Sequence, residues 1–545
     1  MLPSEQDYGI EYIKKSLPVY AAVAENYVFL AEKLSFELVA SSVLERMQTF
    51  MHGDHQAAFK TNIFNAVRNG AVHFNETQPP HLEDYQITYQ SLPKPAIVPF
   101  VNDLNSLGDV VAWQRIAGCN PMVLSRCEQL PPKFPVTETH FQAAMGPHDS
   151  LTVAAEEGRL FLADYAVLEG VECGVTNGLQ KYLAAPLALY AVDMVDRRLR
   201  SVCIQTGQNP SIYPIFTPAD QWHWRMANQC VQVADANHHE ASSHLGHTHL
   251  VMETVVLAMK NALAPNHPLA VLLNAHTVTT MAINHSAKTD LIAPGGTVDT
   301  TFAPKIRQFG GLVRKALLSY PLTSANPRSD LGARGLLDTA VLPQHPYRDD
   351  ALPLWDAILD YLTEYTSLYY PTDAEVGADK ELQAFVGLLS APDGGRLVGV
   401  PSVETTASLA HLLSTLVFIA TAQHSAVNFS QYDHMSYSPN MGGALYAPVP
   451  TMSTPNTQAA YMALLTPRKV AVSSASFVYL LSNVRTSRLG EYAPGTFIDP
   501  NVQPVLARFQ DRLIHLEEES KARDAKRLLS YPYLRPTQVL QSISI

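Results

Sequence analysis

Apolar residues recur at helical spacing through most of the chain. Between residues 10 and 50, Val19, Val23, Val28, Leu30, Leu34, Leu38 and Leu44 fall on an apolar stripe that predicts one or two helices. Segments of helical length follow at 221–263, 266–292, 303–319, 352–368, 403–430 and 501–529. Proline and glycine punctuate them at Leu130-Pro-Pro-Lys-Phe-Pro, at Ala391-Pro-Asp-Gly-Gly, and through residues 437–457, which hold four prolines and Gly442-Gly443. Apolar and aromatic residues run on in Arg159-Leu-Phe-Leu-Ala-Asp-Tyr, which predicts a short β region. The fold class expected is mostly α with a small β subregion. No internal repeat and no long low-complexity linker divides the chain. Residues 1–545 therefore read as one large helical domain, with residues 1–100 a helical N-terminal extension.

Composition narrows the function classes. Hydrophobic residues make up 47% of the chain and charged residues only 16%, which favours a large buried interior. A net charge of −12 leaves no basic surface for phosphate and argues against a nucleic-acid partner. It argues equally against electrostatic attachment to a membrane. Cys119, Cys127, Cys173, Cys203 and Cys230 show no paired spacing and suit free thiols in a reducing compartment. The N-terminus, Met-Leu-Pro-Ser-Glu-Gln-Asp, has neither region of a signal peptide. The most apolar run, residues 412–422, is too short to cross a bilayer. A cytoplasmic location is expected.

Two histidine clusters carry the candidate chemistry. The first, residues 238–249, reads His-His-Glu-Ala-Ser-Ser-His-Leu-Gly-His-Thr-His. Three residues separate Glu240 from His244, so the zinc-protease motif HExxH fails by one position. His239, His244 and His249 recur every five residues. On a regular α-helix such positions point about 140° apart, so His244 and His249 could share one ion only across a π-helical turn. The alternative is a polar, histidine-rich helix face without metal. Asp235 and Glu253, close by, could orient an imidazole or be solvated helix charges. The second cluster, Gln423-His424-Ser-Ala-Val-Asn428-Phe-Ser-Gln431, follows the apolar run and so belongs to a buried helix. His424 and Asn428 share a face at i, i+4, although ordinary core hydrogen bonds would also satisfy them. The chain finishes Gln-Ser-Ile-Ser-Ile, apolar and alternating where a frayed polar end is usual. A carboxylate delivered inward by Ile545 would be a hard anionic ligand, and with the two clusters it points to a buried non-haem iron site around a central helix pair.

The spacing His239-x4-His244-x4-His249-x17-His267-x8-His276 resembles the histidine signature of the lipoxygenases. Residues 424–431 resemble that family's second ligand helix, and Ser542-Ile-Ser-Ile545 resembles its usual ending. Leu354-Trp-Asp-Ala-Ile, Glu364-Tyr-Thr-Ser-Leu-Tyr-Tyr-Pro-Thr-Asp and Ala117-Gly-Cys-Asn-Pro are similar too, so the likeness covers residues 100–545. The resemblance implies one non-haem iron per chain, cycling between Fe2+ and Fe3+, held by His244, His249, His424, Asn428 and the Ile545 carboxylate. It implies His239, Gln431, His267 and His276 as supports behind the ligands. Ala287, Leu291 and Val298 match positions that shape the substrate pocket, and alanine at 287 leans towards S products. The implied reaction is hydrogen abstraction by Fe(III)–OH from a bis-allylic CH2 of linoleate, linolenate or arachidonate, followed by O2 addition to a lipid hydroperoxide. Gln541 replaces the family's usual asparagine, and no arginine between Tyr432 and Arg468 is available to anchor a substrate carboxylate. Most members carry an N-terminal β-barrel, whereas residues 1–100 read helical, so the chain resembles a bacterial catalytic-domain-only form. A monomer that touches membranes only transiently, to take up substrate, is expected.

Overall fold

The computed structural model describes residues 10–34 and 79–545. Helix accounts for 56% of the residues, as the apolar spacing predicts. Helix α1 (Ile10–Leu34) buries Val19, Val23 and Leu30. Leu38 and Leu44 of the same stripe, with the side chains of Val28 and Leu34, lie outside the described residues.

Strands concentrate in residues 125–216. β1 (Ser125–Arg126), β2 (Leu160–Asp164), β3 (Leu187–Val192), β4 (Leu199–Gln205) and β5 (Ile215–Phe216) pair in chain order as an antiparallel sheet. The segment predicted as strand is β2. Its neighbour β3 escapes a sequence reading because all its residues are buried, and Leu-Ala-Leu-Tyr-Ala-Val shows no polar alternation. Leu187, Leu189 and Val202 join Phe134 and Phe141 in a satellite core.

Two buried helical rods organise the remainder. In the first, α2 (Trp222–His238) passes unbroken into a π-helical stretch, His239–His249, and then into α3 (Leu250–Ala262). Residues 223–237 are all buried, so their polar side chains must find partners inside. Asn228 donates to the Trp224 carbonyl at 2.8 Å and Asn237 to that of Gly443 at 2.9 Å. Asp235 pairs with Arg115 at 2.8 Å, both side chains fully buried.

The helix predicted over 266–292 is instead two, α4 (Pro268–Ala275) and α5 (Thr280–Ser286). They part at Thr279, whose φ of 62° is incompatible with a continuing α-helix. α5 runs into a second π-helical turn, Ala287–Leu291, against which α6 (Thr297–Thr301) packs. α7 (Ile306–Ser319) lies along residues 239–249.

The second rod begins as α9 (Thr406–Phe418), packed on α8 (Pro346–Ser367). It continues through a third π-helical turn, Ile419–Gln423, into α10 (His424–Asn428). With the turn that follows, the run Thr406–Met435 is long and apolar enough to cross a bilayer, longer than residues 412–422 suggested. Its most apolar window is 78% buried inside the protein, so that apolarity serves the core. α11 (Arg468–Asn483) packs against α1, and α12 (Val502–Asp524) against α8. One hydrophobic core extends from Tyr12 to Ile545.

Candidate metal centre

The π-helical stretch settles the five-residue spacing. Its wider turn brings His244 and His249 to the same side, with their Nε2 atoms 3.2 Å apart. His424, at the start of α10, adds a third ring, its Nε2 3.2 Å from that of His249. All three rings are buried, and their ligand atoms lie within 4.8 Å of one another. Burial holds His244 and His249 down to about pKa 3, and His424 well below the usual imidazole range. The rings are therefore neutral at ordinary pH.

Their outer nitrogens fix which lone pairs face inward. Glu240 Oε2 lies 3.1 Å from His244 Nδ1 and accepts a hydrogen bond from its N–H. Asn284 Nδ2 is spent on the His249 carbonyl at 3.0 Å and on Glu253 at 2.8 Å. Its Oδ1 is thus the acceptor for His249 Nδ1–H, at 2.8 Å. Both Nε2 atoms then present lone pairs to each other at 3.2 Å, a repulsive arrangement that a cation between them reverses. The donor set fits a metal.

Asn428, one turn after His424, is fully buried. Its amide donates to the Leu481 carbonyl at 2.9 Å, and its Oδ1 accepts from Gln431 Nε2 at 2.9 Å. Gln431 thus fixes the orientation of the Asn428 oxygen and leaves it one free lone pair. Ile545 is only 3% exposed. Its main-chain oxygen lies against the His424 ring and opposes the burial that depresses that ring's pKa. The terminal segment reaches this point through specific bonds: Leu540 N–H to Ser425 Oγ at 3.2 Å, His276 Nδ1 to the Gln541 carbonyl at 2.9 Å, and Thr280 Oγ1 to the Ile543 carbonyl at 3.1 Å.

The remaining sequence candidates separate. His239 stacks on His244 with ring centroids 5.5 Å apart and bonds through Nε2 to the Val427 carbonyl at 2.9 Å, so it ties the two rods together. His276 supports the terminal segment rather than a ring. His267 does not back the cluster. It caps α4 by accepting from Leu269 N–H at 3.2 Å, and its Nε2 meets Asp379 at 3.0 Å. Ala287 lies one turn beyond Asn284, at the start of the π turn that ends with Leu291, and Val298 is buried on α6 against that turn. Of the nearby carboxylates, Glu253 reaches His249 only through Asn284, and Asp235 is committed to Arg115. Glu240 and Asn284 do the holding instead. The i, i+4 relation of Glu240 to His244 was a usable signal; nothing local marks Asn284, 35 residues from His249.

A family model described as Lipoxygenase matches residues 44–531. The Linoleate 9/13-lipoxygenase of Pseudomonas aeruginosa is 36% identical over 82% of this chain and 68% of its own length. Polyunsaturated fatty acid lipoxygenase ALOX15B of Rattus norvegicus is 34% identical over 80% of this chain and 65% of its own. The chain therefore spans about two thirds of the curated relatives it matches. A solved lipoxygenase, the delta413-417:GS form in complex with arachidonate, superposes with a TM-score of 0.86 at 27% identity, covering all of this chain and 76% of that one. Family match, relatives and superposition agree with the histidine geometry: the chain belongs to the lipoxygenase family.

Proposed function

We propose that the chain is a non-haem iron dioxygenase that inserts O2 into polyunsaturated fatty acids of the linoleate, linolenate or arachidonate type and releases lipid hydroperoxides. The observation that carries this reading is the convergence of three neutral imidazoles with two inward lone pairs 3.2 Å apart. In it, His244, His249, His424, the Asn428 oxygen and the Ile545 carboxylate hold one iron per chain. Nitrogen and oxygen donors without thiolate suit iron, and a single anionic ligand leaves the ferric state oxidising. Bound there, iron would supply a one-electron oxidant for a bis-allylic CH2 and would return that electron once O2 has added.

The chain's own residues then do the positioning. Glu240 and Asn284 lock two ring tautomers, so the donor atoms need no reorganisation. Gln431 holds Asn428 from the neighbouring turn of the same rod. In this reading Ala287, Leu291 and Val298 shape the substrate pocket, and the small Ala287 side chain leaves one face of a pentadiene open to O2 and favours S products. The likeness to a Pseudomonas linoleate lipoxygenase and to an arachidonate complex supports this substrate class. The active species is a monomer that takes up substrate from a membrane by transient contact.

Metal analysis together with conjugated-diene absorbance on adding linoleate or arachidonate in air tests the proposal. Near one iron per chain and a rising diene signal are expected. Zinc in place of iron, or iron-loaded protein that forms no diene, would sink it.

A further inference from the structure

Three consecutive residues of the terminal segment are gripped by alternate residues of one short turn. His276 Nδ1 donates to the Gln541 carbonyl at 2.9 Å, Ser542 Oγ donates to the Val278 carbonyl at 3.1 Å, and Thr280 Oγ1 donates to the Ile543 carbonyl at 3.1 Å. The tautomer of His276 is consistent with this, because its Nε2 accepts from Tyr492 Oη at 3.0 Å. On its other side the segment meets Ser425 Oγ through Leu540 N–H at 3.2 Å, the Ser487 carbonyl through Gln541 N–H at 2.8 Å, and Thr486 Oγ1 through Ser544 Oγ at 2.8 Å.

The gripping turn is strained. Between Val278 and Thr280 sits Thr279, a β-branched residue held at φ 62°, ψ −1°. L residues with branched side chains avoid this region, and such outliers persist only where their surroundings over-determine them. Local bonds hold the turn in part, Thr280 N–H to the Thr277 carbonyl at 3.2 Å and Ile283 N–H to the Thr279 carbonyl at 3.0 Å, and the bonds to residues 541–543 add to them by requiring the carbonyl of Val278 and the hydroxyl of Thr280 to face the same segment. Grip and strain therefore depend on each other. If the segment leaves, the turn loses the contacts that offset its strain and relaxes; a relaxed turn no longer fits the segment.

The candidate donors of the two rods are enclosed, with His424 and Asn428 fully buried. Displacing either rod would break a fully packed helix. Residues 541–545 have no regular structure and are held by discrete hydrogen bonds, so they form the lower-stability element beside the site. We propose that residues 276–280 are a strained clasp for the terminal segment, that His276 and Thr280 act as positioning residues for Ile545, and that opening of this clasp is the step by which the metal enters and leaves. This rests on the reading of Ile545 as a ligand.

The test uses full-length iron-loaded protein challenged with excess Fe(II) chelator, together with amide hydrogen exchange of residues 541–545 in loaded and metal-free forms. The double variant Thr280→Val, Ser542→Ala removes two hydrogen bonds without opening a cavity. Faster exchange in the segment and iron loss accelerated about tenfold are expected. Thr280→Ser keeps the donor and should restore both readings at that position. Thr279→Gly relieves the strained φ, so the clasp closes more firmly and iron loss slows by about fivefold. Unchanged exchange in the double variant, unchanged iron loss, or faster loss from Thr279→Gly each overturns the proposal. Wild-type protein that binds no iron overturns the centre instead, and exchange in the metal-free form still decides the clasp.

Discussion

Glu240 offers the sharpest separation of metal holding from folding. Its carboxylate is buried, 3.1 Å from His244 Nδ1 and 3.7 Å from His239 Nδ1. Glu240→Leu leaves the His244 N–H buried without an acceptor, at a cost of about 1–3 kcal/mol. Loss of an acceptor behind a metal-bound histidine lowers metal affinity about 10- to 100-fold, which is the same range expressed as a binding constant. Glu240→Gln keeps an acceptor but removes its charge, so a loss of about 1 kcal/mol, near fivefold, is expected. The metal-free protein should respond differently. Burial raises the Glu240 pKa against the pull of His239 and His249, so the ionised side chain is a desolvation burden on the fold. Without metal, His244 can carry its proton on Nε2 and donate to His249 Nε2 3.2 Å away, so metal-free Glu240→Leu is expected to unfold no earlier than metal-free wild type, while its iron affinity falls. Thermal unfolding of stripped protein and competition of loaded protein against graded Fe(II) chelators read the two effects separately. Wild-type iron affinity in Glu240→Leu would refute the role assigned to this carboxylate.

Appending residues after Ile545 is expected to abolish iron retention and diene formation, because the buried carboxylate becomes an amide and the added chain has no room; wild-type turnover in such a protein would remove Ile545 from the ligand set. Ala287→Gly should shift chiral product analysis from S towards R with little change in iron content, and an unchanged product ratio would detach this position from stereocontrol. Asp149 and Arg159 form a buried two-bonded pair, 2.8 Å at each contact, and hydrogen bonding to Arg159 holds the Asp149 pKa below the usual value. A depressed folded pKa stabilises above the unfolded value near 4, and this contribution is lost as pH falls through the folded value. Asp149→Asn should cost about 3 kcal/mol at neutral pH, shown by denaturant unfolding, and flatten the acid limb of the stability profile; an unaltered acid limb would contradict the assignment.

The long periodic helices were legible because their apolar spacing repeats over many turns: the rods around residues 222–262 and 406–430 lie where the pattern placed them. The site histidines were legible for a different reason. Their spacing of five is wrong for an α-helix, and only a π turn makes it useful. What the sequence hid is non-local. Thr279 breaks the segment over 266–292 with no glycine or proline at the break, and the residues around it bond to residues 541–543 far along the chain. His267 belongs to the same histidine series as the clustered rings yet caps a helix, since Pro268 and Asp379 fix it there. Strand β3 has no alternation to detect, and Asn284 touches His249 only because α5 folds back against the rod.

Among the described residues, π-helical turns occur in three places, and each borders the same centre. Such turns hydrogen-bond less favourably than α-helix and survive where packing offsets the cost. In the first rod the wide turn lets two histidines five apart face one point. In the second it lies immediately before His424 and touches the first, so it adjusts the rotation at which His424 and Asn428 emerge from a helix whose upstream face is fixed by α8. Beyond α5 it begins at Ala287, just after Asn284 has bonded to His249, and turns the following residues towards α6. A straight α-helix at any of these points would keep its core face and lose its functional one. The π turns therefore reconcile two demands on the same buried helices, apolar packing on one side and convergence of polar donors on the other.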